Sequence, residues 1–289
     1  MKKAPSCLIL LPLLLSCAPG GGASSSSSEK DSSFLEGYRL VWEDDFQGDS
    51  LDTSTWTYET GNNGGWGNQE LEYYTDQNAT VKDGILTIEA RREEKNGYHF
   101  TSSRIKTAGK ASITYGRVEA RIKLSAGNAL WPAFWMMPEA NSGWPQSGEI
   151  DIMENKGSDP YSTSSAAHFL GGDRTHQYEA GSYSWSKRKG EIGIEGWHIY
   201  SLVWDEDGLS FYADEHLKLN VPRRAYHPKG GVYSGDGNEP FDKPFYVILN
   251  MAIGGNFDPG HSEPDADFES ATMQVDYVRM YEFDTEANG

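Results

Sequence analysis

Apolar and polar residues alternate with a period of two in several stretches of the chain. In residues 116–124, one side carries Val118, Ala120, Ile122 and Leu124, and the other side carries charged residues. This alternation is typical of a β-strand with one solvated face, because successive side chains of a strand point in opposite directions. Further strands are expected at 84–90, 244–252 and 273–281.

Two apolar segments that flank a short turn indicate a β-hairpin. Residues 199–204 and 209–213 form the two segments, and the turn between them, 205–208, contains Asp and Gly. No stretch beyond the first twenty residues carries a sustained helical stripe. We therefore predict an all-β fold in which two antiparallel sheets pack face to face, as a β-sandwich or jelly roll.

The composition agrees with a folded domain built from short strands. Hydrophobic residues make up 37% and charged residues 24% of the 289 positions, which suits a packed core rather than a disordered chain. Aromatic residues at 12%, together with 32 Gly and 13 Pro, favour strands joined by turns. The net charge of −18 argues against nucleic acids and against sulfated or carboxylated polymers as partners, because like charges repel at the approach surface.

The N-terminal residues have the organisation of an export signal. Lys2 and Lys3 precede an apolar run over 8–15 that is too short to span a bilayer stably. The run leads to Leu14-Leu15-Ser16-Cys17, which resembles a bacterial lipoprotein box, and in that family the cysteine is lipidated. The alternative is an ordinary secretory signal with an accidental cysteine.

The two cysteines and a serine-rich stretch define the expected domain organisation. Both Cys7 and Cys17 lie in the signal region, so we expect no disulfide and no cysteine metal site in the folded part. We predict a signal peptide over 1–16, a flexible Gly/Ser tether over 17–33 and one folded domain over 34–289. The lipoprotein interpretation predicts an exported, membrane-anchored monomer at the cell surface or on the periplasmic face of the outer membrane.

Three carboxylates are concentrated in one short apolar segment. The segment is Glu149-Ile150-Asp151-Ile152-Met153-Glu154. In an ideal strand Glu154 would point away from Glu149 and Asp151, to the face that carries Ile150 and Ile152. Burying its carboxylate among these aliphatic side chains without a partner would be costly. A one-residue bulge around Ile152 and Met153 would return Glu154 to the face of the other two acids, and bulges are common beside active sites. We therefore expect all three acids to line one groove.

Two carboxylates facing one groove are the groups that glycoside hydrolysis requires. One attacks the anomeric carbon and the other protonates the leaving oxygen, and a shared strand favours the separation of about 5–5.5 Å of a retaining mechanism. Asp151 would orient Glu149 and help to keep Glu154 protonated. The alternatives are a solvated acidic edge, which the flanking Ile and Met disfavour, and an acidic metal cluster, which lacks an adjacent histidine, although oxygen-only Ca²⁺ sites exist.

The acidic segment resembles the signature of glycoside hydrolase family 16 in its bulged form. Residues 65–75, which begin with Gly65-Trp66-Gly67-Asn68-Gln69-Glu70-Leu71, resemble the laminarinase branch of that family. Other segments also resemble the family, and they occur along the chain in the order that the family shows. They are residues 40–46, 101–107, 130–138, 143–145, 250–256 and 275–279. Because the segments run through nearly the whole domain in order, the likeness is highly specific.

The resemblance implies a concanavalin A-like β-jelly roll with a long substrate cleft on its concave face. It implies retaining endo-hydrolysis, with Glu149 as nucleophile, Glu154 as acid/base and Asp151 as helper. The leading hypothesis is a β-glucanase for laminarin-type β-1,3-glucan or mixed-linkage β-1,3/1,4-glucan. The alternatives are a family 16 galactanase and a surface glycan-binding protein without hydrolytic activity. Two carboxylates suffice for this chemistry, so no catalytic cofactor is expected.

Candidate substrate-binding residues surround the acidic segment in the sequence. Flat indole rings stack on the apolar faces of sugars, which suggests this role for Trp131, Trp135 and Trp144, with a place in the core as the alternative. Asn68 and Arg104 are expected to hydrogen-bond sugar hydroxyls, with a structural salt bridge as the alternative for Arg104. The resemblance places His168 across the cleft, against the alternative of a core histidine.

The resemblance also implies a structural Ca²⁺ on the convex face. The matching ligands are Asp45, the carbonyl oxygen of Gly84, and Asp276. Carboxylate and backbone oxygens are the ligands that Ca²⁺ prefers. The alternative for Asp276 is a solvated strand residue.

Overall fold

The alternating segments form strands in the structure, a computed structural model that describes residues 35–140, 142–226 and 240–284. The signal peptide, Cys17 and the tether predicted over 17–33 lie outside the described residues. In chain order the strands are β1 (Tyr38–Asp44), β2 (Thr57–Glu59), β3 (Glu72–Tyr74), β4 (Ala79–Lys82), β5 (Ile85–Lys95), β6 (Tyr98–Ser102), β7 (Arg104–Lys106), β8 (Ser112–Ile113), β9 (Gly116–Leu124), β10 (Leu130–Pro138), β11 (Glu149–Glu154), β12 (Ser162–Leu170), β13 (His176–Ser184), β14 (His198–Asp205), β15 (Gly208–Ala213), β16 (His216–Pro222), β17 (Phe245–Ile253) and β18 (Ser270–Phe283).

These strands build two sheets, and from Gly37 onward they belong to one compact unit. The ten-stranded back sheet has the order β16-β15-β14-β9-β18-β5-β6-β3, with β1 beside β18 and β4 beside β5. The eight-stranded cleft sheet has the order β13-β12-β11-β10-β17-β7-β2, with β8 beside β17. The pairing is antiparallel except between β3 and β6. The predicted two-sheet jelly roll is confirmed.

Helical structure is scarce, as the missing helical stripe predicts. The described residues contain a short 3₁₀ helix (Lys187–Lys189) and α1 (Arg223–Tyr226). Neither these nor any other described segment is a helix with the length and apolar character needed to cross a bilayer.

The predicted strands and hairpin agree with the observed elements. The segment 116–124 is β9, and 84–90, 244–252 and 273–281 correspond to β5, β17 and β18. The predicted hairpin joins β14 to β15, where Asp205 lies opposite Gly208. The predictions of these strands and of the hairpin are therefore confirmed.

The expectation that one face of β9 is solvated is wrong at one end of the strand. Arg117 and Glu119 are each only 4% exposed, although they alternate with the apolar residues of β9. They form an ion pair at 2.7 Å, and the Tyr281 hydroxyl donates to Glu119 at 3.3 Å. Because β9 lies inside the back sheet between β14 and β18, its neighbours cover this face and the two charges neutralise each other.

The core lies between the sheets and holds β11 firmly in place. Ile150, Ile152 and Met153 are fully buried there, as is Phe134 of the neighbouring strand β10. Because these apolar side chains occupy the inner face of β11, the polar side chains of the strand are turned to the outer face of the cleft sheet.

Candidate active site

The acidic strand β11 contains a bulge. Asp151 lies opposite Ala166 of β12 and Glu154 lies opposite Ser164, so three steps along β11 correspond to two along β12. The register against β10 shifts at the same place. The predicted one-residue bulge is confirmed, and it turns Glu154 to the side of the other two acids.

The residue before β11 is Gly148, and any other residue at this position would be strained. Gly148 has a φ of +86°, and a Cβ at this position would lie 2.9 Å from Phe241 and 3.1 Å from Pro240. A side chain would therefore clash with the core and also require an unfavourable backbone conformation. The glycine fixes the direction in which Glu149 begins the strand.

One cleft of about 340 Å³ is lined by residues of four strands (β7, β10, β11 and β17) and two loops. Its lining includes the predicted residues Asn68, Arg104, Trp131, Trp135, Trp144, Glu149, Asp151 and Glu154. His168 lies beside them as the cross-strand partner of Glu149. The predicted catalytic and binding residues are thus neighbours in space, although they span a hundred positions of the sequence.

Each outer glutamate accepts a hydrogen bond from a tryptophan. Trp144 Nε1 donates to Glu149 Oε2 at 2.6 Å, and Trp131 Nε1 donates to Glu154 Oε1 at 2.9 Å. Two of the three predicted tryptophans therefore orient carboxylates, a contact that the sequence pattern did not indicate. Trp131 also stacks on Phe257, with ring centroids 4.8 Å apart.

Burial and mutual repulsion change the acidity of the three carboxyls. Burial and the neighbouring charge of Asp151 raise the pKa of Glu149 to about 8. The same two causes raise the pKa of Glu154, and burial raises the pKa of Asp151. Because three adjacent carboxyls that are partly or fully buried repel one another when charged, the cluster keeps protons at neutral pH that isolated carboxyls would lose.

His168, which the family resemblance placed across the cleft, lies beside the acids in the structure. His168 Nε2 is 3.2 Å from Asp151 Oδ2, an electrostatic contact rather than a well-aligned hydrogen bond. Candidate ligand atoms of Glu149, Asp151 and His168 all lie within 4.8 Å of one another. The histidine comes from β12, so adjacency along the chain could not reveal it. The metal-cluster alternative therefore has a suitable donor set and needs a direct test.

Arg104 makes the structural contact that was the alternative to sugar binding. Its Nε donates to Glu59 Oε2 at 2.6 Å. The guanidinium lies between two indole rings, 4.5 Å from the centroid of Trp66 and 4.8 Å from that of Trp135. The side chain is thus held rigidly while it lines the cleft, and its role towards sugar hydroxyls stays a prediction.

A chain of buried hydrogen bonds supports the same part of the cleft. Trp135 Nε1 donates to Asn250 Oδ1 at 2.8 Å, and Asn250 Nδ2 donates to the Tyr74 hydroxyl at 3.0 Å. The Tyr74 hydroxyl donates to Glu70 at 3.0 Å, and Glu70 also accepts from Asn68 Nδ2 at 3.1 Å. Glu70 and Tyr74 fall in a segment that the family resemblance includes, but only the fold connects them to Asn250.

A buried lysine from the back sheet contacts the bulge from behind. Lys218 is 8% exposed, and its Nζ donates to the carbonyl oxygen of Ile152 at 2.9 Å. Burial lowers its pKa to about 7, and the charge of Glu154 opposes that shift. Lys218 was not predicted at the site, because nothing near it in the sequence relates it to the acidic strand.

The three predicted calcium ligands are only partly brought together. A Cβ on Gly84 would lie 3.9 Å from the carbonyl oxygen of Asp45, so these two are neighbours. The carboxylate of Asp276 instead accepts a hydrogen bond from Arg121 at 2.6 Å. An arginine at this carboxylate competes with a cation, so the donor set fits Ca²⁺ incompletely.

Comparisons with known proteins agree with the geometry. A family profile described as "Beta-porphyranase A-D, GH16 domain" matches residues 41–283. Glucan endo-1,3-beta-glucosidase A1 of Niallia circulans is 42% identical over 86% of this chain, which spans 38% of that relative's length. The beta-glucanase of Rhodothermus marinus is 36% identical, over 84% of this chain and 85% of the relative. The solved endo-beta-1,3-glucanase of Pyrococcus furiosus is 39% identical, covering 85% of this chain and 95% of its own, with a TM-score of 0.74.

Proposed function

We propose that this chain, which belongs to glycoside hydrolase family 16, is an endo-acting β-glucanase that cuts glucans containing β-1,3 links. The observation that carries the proposal is the bulge of β11. It directs Glu149 and Glu154 into one cleft, where each accepts a tryptophan N–H. The relatives compared above are named for β-glucan or β-1,3-glucan cleavage, which supplies the substrate class.

The two glutamates act in two displacements that retain the β configuration. Glu149 attacks the anomeric carbon while Glu154 gives its proton to the departing glycosidic oxygen, so that a glycosyl ester of Glu149 replaces the broken C–O bond. Glu154, now a carboxylate, takes a proton from water, whose oxygen displaces Glu149 from the same carbon. Both side chains then have their starting protonation states.

This sequence of steps needs a negative charge on Glu149 and a proton on Glu154. The raised pKa values keep protons in the cluster at neutral pH. The hydrogen bond to Glu149 from Trp144, at 2.6 Å, is shorter than the 2.9 Å bond from Trp131 to Glu154. An N–H donor stabilises a carboxylate, so the bond from Trp144 acts against burial and the charge of Asp151, which raise the pKa of Glu149. The choice of Glu149 as the charged nucleophile follows the family resemblance.

The remaining predicted residues would hold the sugar chain. Trp135 and Arg104 form a rigid stacked unit on one flank of the acids, and Asn68 lies beside them with its amide fixed by Glu70. Their flat and polar surfaces suit the apolar faces and the hydroxyls of glucosyl units. His168 would contact the sugar nearest to Glu149.

A substrate panel tests the function and its alternatives. Initial rates would be measured on laminarin, barley glucan, lichenan, agarose, carrageenan and porphyran, with linkage analysis of the products. We expect cleavage of glucans that contain β-1,3 links. Cleavage of galactans alone would favour the galactanase alternative, and binding without cleavage would favour the glycan-binding alternative.

The stereochemistry and the metal alternative are tested on the same preparation. NMR of fresh product should show the β anomer first, and initial α product would contradict retention. Because the mechanism uses protein groups only, rates after dialysis against EDTA should stay within about twofold of the untreated rates. A large loss that zinc or another cation restores would support a metal at Asp151 and His168.

We keep the structural Ca²⁺ as a proposal that rests on the family and on the adjacency of Asp45 and Gly84. If the ion binds there, Ca²⁺ should raise the melting temperature, and EGTA should lower it without changing the active-site geometry. An identical melting curve in both would contradict the proposal.

We also propose that Cys17 carries a lipid that anchors the protein in a membrane. Its support is the likeness of residues 14–17 to a lipoprotein box. Labelling with a radioactive fatty acid in a bacterial host should mark the wild-type protein and not the Cys17→Ser variant. Protease accessibility in intact cells would then separate cell-surface display from a periplasmic position, and gel filtration would test the monomer.

A further inference from the structure

A second pair of buried carboxyls lies beside the cleft and takes no part in the displacements described above. Glu70 and Glu72 are two residues apart on the extended segment that leads into β3, so their side chains share one face. They are only 6% and 0% exposed. Two carboxyls buried in contact are costly when both are charged, so we expect one of them to keep its proton.

The contacts of Glu72 are those of a protonated carboxyl. Its Oε2 accepts a hydrogen bond from the backbone N–H of Ile253 at 2.6 Å. Its Oε1 is buried, and no N–H or O–H of the residues that the structure describes donates to it. Burial and the neighbouring charge of Glu70 raise the pKa of Glu72 well above its ordinary value. A proton on Glu72 has an acceptor in the carboxylate of Glu70, with which it is in hydrogen-bonding contact.

The contacts of Glu70 are those of an ionised carboxylate. Its Oε1 accepts a hydrogen bond from Asn68 Nδ2 at 3.1 Å, and its Oε2 accepts one from the Tyr74 hydroxyl at 3.0 Å. The proton of Glu72 adds a further donor. A carboxylate only accepts hydrogen bonds and has lone pairs for all of these donors. The negative charge of the pair therefore lies on Glu70.

The direction of the hydrogen bonds that reach Glu70 is fixed by an indole at the far end of the chain. The Trp135 N–H can only donate, so it requires the side-chain oxygen of Asn250, at 2.8 Å. The amide nitrogen of Asn250 then donates to the Tyr74 hydroxyl, at 3.0 Å. That hydroxyl in turn donates to Glu70. Every donor points towards the carboxylate, and an anion at the end of such a chain strengthens each bond in it.

We propose that Glu70 is a positioning residue, which fixes Trp135 and Asn68 in the orientation that the sugar chain meets. Glu72 supports it by keeping the proton that it donates to the Glu70 carboxylate. Trp135 and Asn68 line the cleft and come from different segments of the chain, whereas Glu70 is too buried to bind sugar itself. The proposal rests on the proposed function. Side chains that are ordered before the glucan arrives need not lose their freedom when it binds.

The first experiment measures kcat and KM on laminarin for Glu70→Gln and Tyr74→Phe. A glutamine has one acceptor oxygen, and its NH₂ group opposes one of the donors that Glu70 accepts. We expect KM to rise about fivefold to tenfold in Glu70→Gln while kcat stays within about twofold, because the lost contacts bind substrate and transition state alike. Tyr74→Phe interrupts only the arm to Trp135 and should raise KM by about threefold.

Two further variants separate positioning from stability. Glu72→Gln imitates the protonated acid, since its NH₂ group can donate to Glu70 and its oxygen can accept from Ile253. Its KM should stay within about twofold of wild type, and a rise as large as that in Glu70→Gln would overturn the assignment of the proton. Glu119→Gln is the control, because it removes a buried charge from the back sheet and leaves the cleft intact.

The second experiment follows the indole N–H signal of Trp135 by NMR without substrate, with Trp135→Phe to assign it. The signal should move in Glu70→Gln and in Tyr74→Phe and keep its place in Glu119→Gln. A signal that keeps its place in Glu70→Gln, or a KM there no higher than in Glu119→Gln, would overturn the positioning role. A wild-type protein that cleaves no glucan would overturn the proposed function, and the Trp135 signal would still decide whether Glu70 orients the indole.

Discussion

Two strands of this protein withdraw ionisable side chains wholly or partly from water, and they do so in opposite ways. On β9, Arg117 and Glu119 lie at 2.7 Å with their side chains 5% exposed, so a cation and an anion neutralise each other. On β11, three carboxyls share one cleft, and the buried cation behind them, Lys218, bonds a backbone carbonyl instead. The ion pair on β9 preserves the stability of the fold, whereas the cluster of acids on β11 lowers it.

The difference shows which buried charges serve function. A paired charge keeps its normal protonation state, whereas a buried acid with other acids as neighbours must keep its proton or be destabilised. Retaining hydrolysis needs one acid charged and its neighbour protonated at the same pH, and only an unbalanced cluster provides this state. Five substitutions test the contrast.

The largest effect is expected from Glu149→Ala. Removing the nucleophile should lower kcat by about 10⁴-fold or more on laminarin, because no other side chain can form the glycosyl ester. Oligosaccharide binding, followed by titration calorimetry, should persist because the stacking surfaces are intact. Turnover near that of wild type would refute the assignment of Glu149.

A substitution in the Arg117–Glu119 ion pair of β9 should lower the stability of the protein and leave its activity unchanged. Glu119→Gln removes the carboxylate charge that pairs with the buried Arg117, and the free energy of unfolding should fall by about 3 kcal/mol in urea titrations. The kcat of the folded enzyme should match wild type, because the pair lies in the back sheet. If kcat fell in proportion to stability, the separation of the two charged regions would be false.

The middle acid should control the pH profile. Asp151→Asn should lower kcat by roughly 10- to 100-fold, since Glu149 loses its orienting partner. The charge of Asp151 raises the pKa of Glu154. Its removal should lower that pKa, so Glu154 loses its proton earlier as pH rises. The alkaline limb of kcat/KM should therefore move to lower pH, and a shift upward or none would contradict this coupling.

The cluster of acids should also lower the free energy of unfolding in a way that depends on pH. The pKa of Glu149 is raised from 4.5 to about 8 in the folded state, so between these pH values the unfolded chain binds fewer protons than the folded one. Stability from this group is therefore lost as pH rises through that window. Glu149→Gln should be more stable than wild type by up to about 4 kcal/mol at pH 8 and equally stable near pH 4. A variant that is less stable at pH 8 would place Glu149 among the structural charges.

The smallest effect is expected at the lysine behind the bulge. Lys218→Met removes one of two donors to the carbonyl of Ile152, since the Ser165 hydroxyl also donates to it at 2.7 Å, and should lower stability by about 1 kcal/mol. If Lys218 positions the bulge, kcat should also fall several-fold while KM stays nearly constant. Glu119→Gln is the control, since it loses stability without touching β11, and an unchanged kcat in Lys218→Met would limit Lys218 to a structural role.

Much of the fold and the position of the acids could be predicted because they depend on local patterns. The alternation in β9 located a strand to the residue, and the conflict between burial and charge in 149–154 predicted the bulge. Both follow from the period-two geometry of a strand, which each short segment carries by itself.

Contacts between distant segments could not be predicted in this way. The histidine beside Asp151 comes from β12, the donor behind Ile152 comes from β16, and the partner of Trp135 comes from β17. The expectation of a solvated face on β9 failed for the same reason, since neighbouring strands of the sheet decide which faces of a strand meet water.

By itself the sequence determined that strands alternate, that three acids share a face and that aromatic residues cluster near them, because side-chain direction in a strand depends on its own backbone. Only the tertiary structure decided which acid meets which tryptophan, which charges neutralise each other and which side chains line the cleft. Those properties depend on the register between strands, since sheet pairing brings together residues whose order in the chain does not relate them.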